Sequence, residues 1–269
     1  MQTQAAQTSR EELSLAQWRN SCELWRRQCA EPEAEGIFDL RELNPYLLVL
    51  QEGQSALPHL ARLEHEADPE VEAFGAMYDA INESPREAAV SLRLHPSVDY
   101  SAWREFLLNL GFQPSTVRQI AMGRTLANVT PSSDTELSVD QVEALDTVGM
   151  AQAMECNGEA FGSPPEQRRF FLNPRTVDVY LARLEGIPAG SATAAYIDDT
   201  VGIYGVATRP GFRGRGVASA LVARILQDAS GRAELAVLDC QHELVSLYQR
   251  SGFEVAREMP TFTLLAARR

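Results

Sequence analysis

Between residues 202 and 222 the chain reads GIYGVATRPGFRGRGVASALV. A strand-like run ends at Thr208, and a loop follows with Gly211, Gly214 and Gly216. Val217, Ala218, Leu221 and Val222 then recur at helical spacing. The loop therefore runs straight into a helix N-terminus. The first N–H groups of that helix lack intrahelical acceptors and lie at the positive end of its dipole. Glycine lets main chain approach an anion without a Cβ in the way. Arg213 and Arg215 add positive charge in a chain of formal charge −13, with 37 acidic against 24 basic residues. Strand, glycine loop and helix in this order make a phosphate or pyrophosphate site. Every basic residue is Arg, which excludes a P-loop lysine or a Schiff-base lysine.

A dinucleotide-binding unit is one architecture with such a loop. Gly214 and Gly216 are followed by Ser219, and Asp239 stands 23 residues after Gly216 (239 − 216), like the ribose-binding acid of that motif. Two features oppose it. Ala207 to Arg213 intervene where a strand would run directly into the first glycine. Only 30 residues follow Asp239 (269 − 239), too few to complete a parallel nucleotide-binding sheet.

The chain divides near its middle. The stretch NVTPSSDTE at 128–136 is polar and contains Pro, as connectors do, giving units 1–129 and 130–269. Before it, Leu13, Leu15, Trp18, Cys22, Trp25 and Cys29 predict a helix over 9–30, with Ser9 and Glu12 as a capping box. Strands follow at 37–40 and 46–50 around Asn44-Pro45, then helices over 56–66 and 69–82. A strand over 88–94, a helix over 100–109 and a strand over 112–122 complete this unit. After the seam come a helix over 138–157 and a loop through Gly162, Pro164 and Pro165. Strands at 176–184, 190–197 and 200–208 precede the glycine loop. A helix over 217–229, a strand over 233–239, a helix over 243–251 and a strand over 253–265 end the chain. FLLNLGFQP (106–114) and LYQRSGFEV (247–255) are each a helix closed by Gly-Phe, 141 residues apart (252 − 111). The pair suggests two related units in tandem.

Arg213-Gly-Arg-Gly216-Val-Ala218 resembles the pyrophosphate loop of the GNAT (GCN5-related N-acetyltransferase) superfamily, whose pattern is Gln/Arg-x-x-Gly-x-Gly/Ala. Val206-Ala-Thr-Arg-Pro resembles its lead-in. Ser246-Leu-Tyr248-Gln-Arg-Ser-Gly252-Phe253, with Tyr248 32 residues after Gly216 (248 − 216), resembles its late Leu-Tyr-x-x-x-Gly-Phe segment. The resemblance covers about residues 135–269. It implies an α+β, three-layer GNAT fold, a mixed and mostly antiparallel sheet with helices on both faces, here in tandem. It implies acetyl-CoA or another acyl-CoA as cofactor. The main chain of Val206, Ala207 and Thr208 would bond the pantetheine arm, and an amide at a bulge near Val206 would polarise the thioester carbonyl. The amides of Arg213, Gly214, Arg215, Gly216, Val217, Ala218 and Ser219 would hold the pyrophosphate. Tyr248 would protonate the departing thiolate.

The sequence departs from the family at two places. Gly202 stands where many members carry a Glu base, and the nearby Asp198, Asp199, Glu155 and Glu159 read as solvated acids. The first unit lacks the glycine loop and has Leu107 at the position of Tyr248. It is expected to have lost the cofactor and to serve in packing, cleft walls or dimer contacts.

Cys22, Cys29, Cys156 and Cys240 form no CxxC pair, and the four histidines do not have zinc-ligand spacing. No metal is expected, and the cysteines read as reduced thiols of a cytoplasmic protein. Cys240 and His242 flank Gln241 and could carry an acyl group, although a buried Cys and a surface His are the favoured reading. No leader or membrane span is apparent. The acidic balance argues against nucleic acid and for a small cationic amine as acceptor. Two functions are expected from these observations: an N-acetyltransferase working by direct attack of an amine, or a non-catalytic acyl-CoA-binding scaffold. Either could be a homodimer.

Overall fold

Residues 8–51, 58–84, 88–127 and 137–265 are described by the structure, a computed structural model. The first helix, α1 (Arg10–Cys29), opens on the expected capping box. Ser9 Oγ accepts from the Glu12 amide at 3.2 Å, and the Glu12 carboxylate accepts from the Ser9 amide at 2.6 Å. Trp18 and Cys22 pack with Leu47 on one side and with Ala121 and Met259 on the other. The helix is thus enclosed between two sheets, which is why polar Ser14, Gln17, Asn20, Ser21 and Gln28 are also buried.

Then follow β1 (Phe38–Leu43), β2 (Tyr46–Gln51), β3 (His59–Leu63), α2 (Val71–Glu83), β4 (Val90–Arg93), α3 (Tyr100–Asn109), β5 (Gln113–Pro114) and β6 (Gln119–Thr125). The second half adds β7 (Leu137–Val142), α4 (Thr147–Phe161), α5 (Pro165–Phe171), β8 (Asp178–Leu184), β9 (Ile187–Ile197), β10 (Thr200–Thr208), α6 (Val217–Ala229), β11 (Leu235–Gln241), α7 (Val245–Gln249), β12 (Glu254–Met259) and β13 (Thr261–Leu264). From β1 and again from β8 the order is the same: three strands, helix, strand, helix, two strands. The Gly-Phe junctions also coincide in detail. Gly111 (φ +87°) and Gly252 (φ +80°) are both left-handed. The Phe112 amide donates to Leu107 O at 3.0 Å, and the Phe253 amide donates to Tyr248 O at 3.1 Å. This is the helix-ending bond from the second residue past the cap.

The two sheets have the orders β1-β2-β3-β4-β13-β5 and β12-β6-β11-β10-β9-β8-β7. Each half therefore lends its last strand to the other. β6 lies between β11 and β12, and β13 lies between β4 and β5. A division at residue 129 separates the sequence but not the sheets. The seam at 128–136 lies outside the described residues.

Several expected elements differ. The helix expected over 56–66 is, in its described part, the strand β3. β3 is buried along nearly all of its length, so both faces are covered and its apolar run loses the clean alternation that marks a strand. The helix expected from 138 starts only at Thr147, because Leu137–Val142 is the edge strand β7. The loop through Pro164 and Pro165 contains α5. Pro165 occupies the first turn, where a missing N–H removes no helical bond. The single strands expected at 112–122 and 253–265 are each two. Among the described residues no helix is long and apolar enough to cross a membrane.

Candidate active site

β10 and β11 are parallel, but their ladder is short. It pairs Thr200, Val201 and Gly202 with Leu235, Ala236 and Val237. Beyond it β10 follows β9 and β11 follows β6, so the two strands part. The parting coincides with a register shift in β10 between Tyr204 and Ala207 and with Gly205 at φ +58°. A bulge bends its strand and increases the local twist. The corresponding first-half pair stays closed: β3 and β4 match from His59–Val90 through Arg62–Arg93. Among the described residues, the wedge between strands that could admit a pantetheine arm is in the second half.

At one end of the wedge stands the glycine loop. Gly214 (φ +76°) and Gly216 (φ +81°) are left-handed, and a Cβ on either would meet nothing within 4 Å. Among the described residues no acceptor bonds the amides of Gly214 to Ser219, and α6 has no side-chain cap. Val217, buried at 1% exposure, anchors the start of α6 below this open main chain. Arg213 and Arg215 are exposed, and Arg215 is only 3.8 Å from an exposed Glu185 carboxylate, a contact of little energy in water. Arg209 is committed elsewhere, to Glu159 at 2.7 and 2.8 Å and to Pro188 O. Glu159 is accordingly an ion-pair partner, while Asp198, Asp199 and Glu155 are exposed.

Tyr248 lies on α7 in the core on the α6 side of the sheet, edge-on to Phe253. Burial, with Cys240 and Asp239 nearby, raises its phenol above the ordinary tyrosine range. It stays protonated at neutral pH and can donate. Burial also pushes the Cys240 thiol up to about 11. Its sulfur sits 3.7 Å from Met122 Sδ, whereas His242 is exposed. The structure does not bring Cys240 and His242 together as a nucleophile and base.

Gly202 has a packing cause. Asn20 of α1 presses onto it, and a Cβ there would lie 2.8 Å from Asn20 Cγ. Asn20 is itself fixed, donating to Thr200 Oγ1 at 2.7 Å and Ala195 O at 3.3 Å and accepting from the Tyr204 hydroxyl at 2.8 Å. The face that would carry a Glu base is covered by the first helix. Gly202→Glu should therefore destabilise by about 3 kcal/mol or more, since it overpacks the contact and buries a carboxylate. Urea denaturation of this variant is the check, and the substitution adds no catalytic base.

At the other end of the wedge lies a cavity of about 600 Å³ between the halves. Leu24 and Trp25 of α1, Phe161 of α4 and Phe171 of α5 supply apolar wall; Tyr204, Gly205 and Asp239 form its border with the parted strands. Asp239 accepts from Gln17 Nε2 at 3.1 Å and from Arg93 Nη1 at 3.0 Å. Arg62 of β3 completes the charged lining. Two guanidiniums thus face one carboxylate, opposite in sign to the chain as a whole. The sequence reading missed Arg62, Arg93 and Tyr204, and weighed Asp239 only for a ribose. The available signal was one arginine in each of two short, at least half-buried strands, HLARL and VSLR.

Residues 149–253 match the acetyltransferase (GNAT) family. Solved structures extend the likeness over more than nine-tenths of the chain. A GCN5-related N-acetyltransferase from Kribbella flavida is 20% identical with a TM-score of 0.67, covering 92% of this chain and 95% of its own. One from Sphaerobacter thermophilus is 19% identical with a TM-score of 0.58, covering 96% and 94%. A tandem GNAT protein from the clavulanic acid biosynthesis pathway is 14% identical with a TM-score of 0.62, covering 96% and 95%. At these identities the likeness establishes the fold, and it spans both halves of this chain. No curated protein sequence matches the chain.

Proposed function

We propose that this chain, whose residues 149–253 form a GNAT-family domain, is an acyl-CoA-dependent N-acyltransferase. Acetyl-CoA is the proposed donor and the amine of a small molecule the acceptor. The observation that carries the reading is the wedge between β10 and β11, with an uncapped glycine cradle at one end and a cavity at the other.

The open amides of Gly214 to Ser219 suit a pyrophosphate, with Arg213 and Arg215 beside them. The free edge of Val206, Ala207 and Thr208 suits the amide-bearing pantetheine arm, as an added strand would pair. Bound acyl-CoA supplies a thioester whose acyl carbon takes the amine lone pair, so that an N–C bond forms and the C–S bond breaks. A main-chain N–H at the Gly205–Val206 bulge would bond the carbonyl oxygen as it gains charge. Tyr248 holds its proton at neutral pH and gives it to the departing sulfur. The amine proton leaves through the cavity, where Asp239 is the carboxylate that can orient an ammonium.

Release of free thiol from acetyl-CoA with a panel of amines tests the activity. Tyr248→Phe should lower kcat by about 100-fold or more, the range for a positioned acid, and leave CoA affinity nearly unchanged. Equal rates would remove Tyr248 from the reaction. The obstructed base position at Gly202 favours a second reading, an acyl-CoA-binding scaffold. CoA-dependent thermal stabilisation without thiol release on any acceptor would support it.

A further inference from the structure

Arg62 is 8% exposed, and its Nη1 has no hydrogen-bond partner among the described residues. Its guanidinium carbon lies 5.3 Å from the centre of the Trp18 ring, and the residue lines the cavity described above. A buried guanidinium nitrogen without an acceptor is costly, and an orphan of this kind in a residue that lines a cavity needs a cause. Its neighbours do not supply one. The Asp239 carboxylate accepts from Arg93 and Gln17 and makes no hydrogen bond to Arg62 Nη1. Trp18 and Cys22 offer only a ring face and a thiol. The Arg62 guanidinium lies over the Trp18 ring, which gives Nη1 no lone-pair acceptor.

We propose that the acceptor amine also carries a carboxylate, and that Arg62 is the specificity-determining residue that receives it. The acceptor is then an amino acid or a related amino carboxylate with an apolar body. This rests on the acyltransfer reading and specifies its substrate class. The charges favour a carboxylate over a phosphate monoester. Arg62 and Arg93 against Asp239 leave one positive charge in excess, which one carboxylate neutralises. A dianionic phosphate would leave an unbalanced charge among Leu24, Trp25, Phe161 and Phe171, where solvation is poor. The apolar walls suit a hydrophobic side chain, and Asp239 at the parted strands suits the amino end. With the carboxylate on Arg62, loss of the ammonium proton makes the cavity neutral. The low dielectric then assists formation of the attacking amine despite the missing Glu.

The test pairs turnover with binding on the intact protein. Phenylalanine, phenylalaninamide and phenethylamine are compared in thiol release with acetyl-CoA. N-acetylphenylalanine and N-acetylphenethylamine are compared by calorimetry and thermal shift, which need no catalysis. The carboxylate-bearing member of each set should be favoured roughly 10–100-fold, as expected for a charge-assisted bond. Arg62→Gln should abolish that preference while leaving CoA stabilisation and the urea midpoint intact or raised, because it removes an unpaired buried cation. Arg62→Lys should retain part of the preference. Equal binding of the two N-acetyl compounds, or no binding of either, overturns the proposal. So does a carboxylate preference that survives Arg62→Gln. Arg62-dependent carboxylate binding without thiol release from any amine would uphold the pocket and defeat acyl transfer; thiol release without carboxylate preference would do the reverse.

Discussion

Gly216→Asp should abolish the thermal stabilisation that CoA confers on the wild-type protein. CoA at 100 times its dissociation constant stabilises a folded protein by about 2.7 kcal/mol. A carboxylate at residue 216 would project into the open space above the cradle, since nothing lies within 4 Å of the Cβ position. Two like charges about 4 Å apart repel by about 4 kcal/mol at an effective dielectric near 20, more than the stabilisation at stake. The left-handed φ of +81° at Gly216 adds strain for any side chain, so charge and strain must be separated. Gly216→Asn has the same shape and tolerates that conformation as well. It should lose some stability without ligand yet keep most of the CoA shift. A full CoA shift in Gly216→Asp, measured by differential scanning fluorimetry, would remove the pyrophosphate from this loop.

The cradle was legible in the sequence because its chemistry is local. Three glycines, two arginines and a helix start are contiguous, and the helix over 217–229 falls where the apolar spacing puts it. The repeat was legible for the same reason, since a Gly-Phe junction needs only one turn of helix to identify. The acceptor cavity was not legible. Ser21, Arg62, Asn157, Tyr204 and Asp239 meet there from α1, β3, α4, β10 and β11, and no spacing rule links them. Gly202 illustrates the limit. In sequence it is a missing base; in the structure it is the contact that lets Asn20 bring α1 against β10. The strand exchange was equally hidden, because β6 and β13 have the same alternation whether they pair at home or across the molecule.

Residues 130–269 produced alone should fail to fold, although they contain the whole GNAT-family match. Among the described residues β12 pairs only with β6, and β13 only with β4 and β5, all three from before the cut. β11 would lose the partner that faces it from Leu235 to Gln241. Phe262, fully buried among first-half residues, would be exposed. Each large apolar side chain left in water forfeits about 1.5–3 kcal/mol of burial, so losing several removes much of a domain stability of about 5–15 kcal/mol. Residues 1–129 alone face the complementary defect, since β5 and β6 lose every strand they pair with. The fragment 130–269 should show no cooperative melting transition and should aggregate through the bare edges of β11 and β12. Co-expression with 1–129 should return a soluble complex that melts cooperatively and is stabilised by CoA, because the exchanged strands need no peptide link across the seam. A monomeric 130–269 fragment that melted sharply would mean that its sheet closes without β6. The first half would then serve as cavity wall rather than as part of the fold that holds the wedge open.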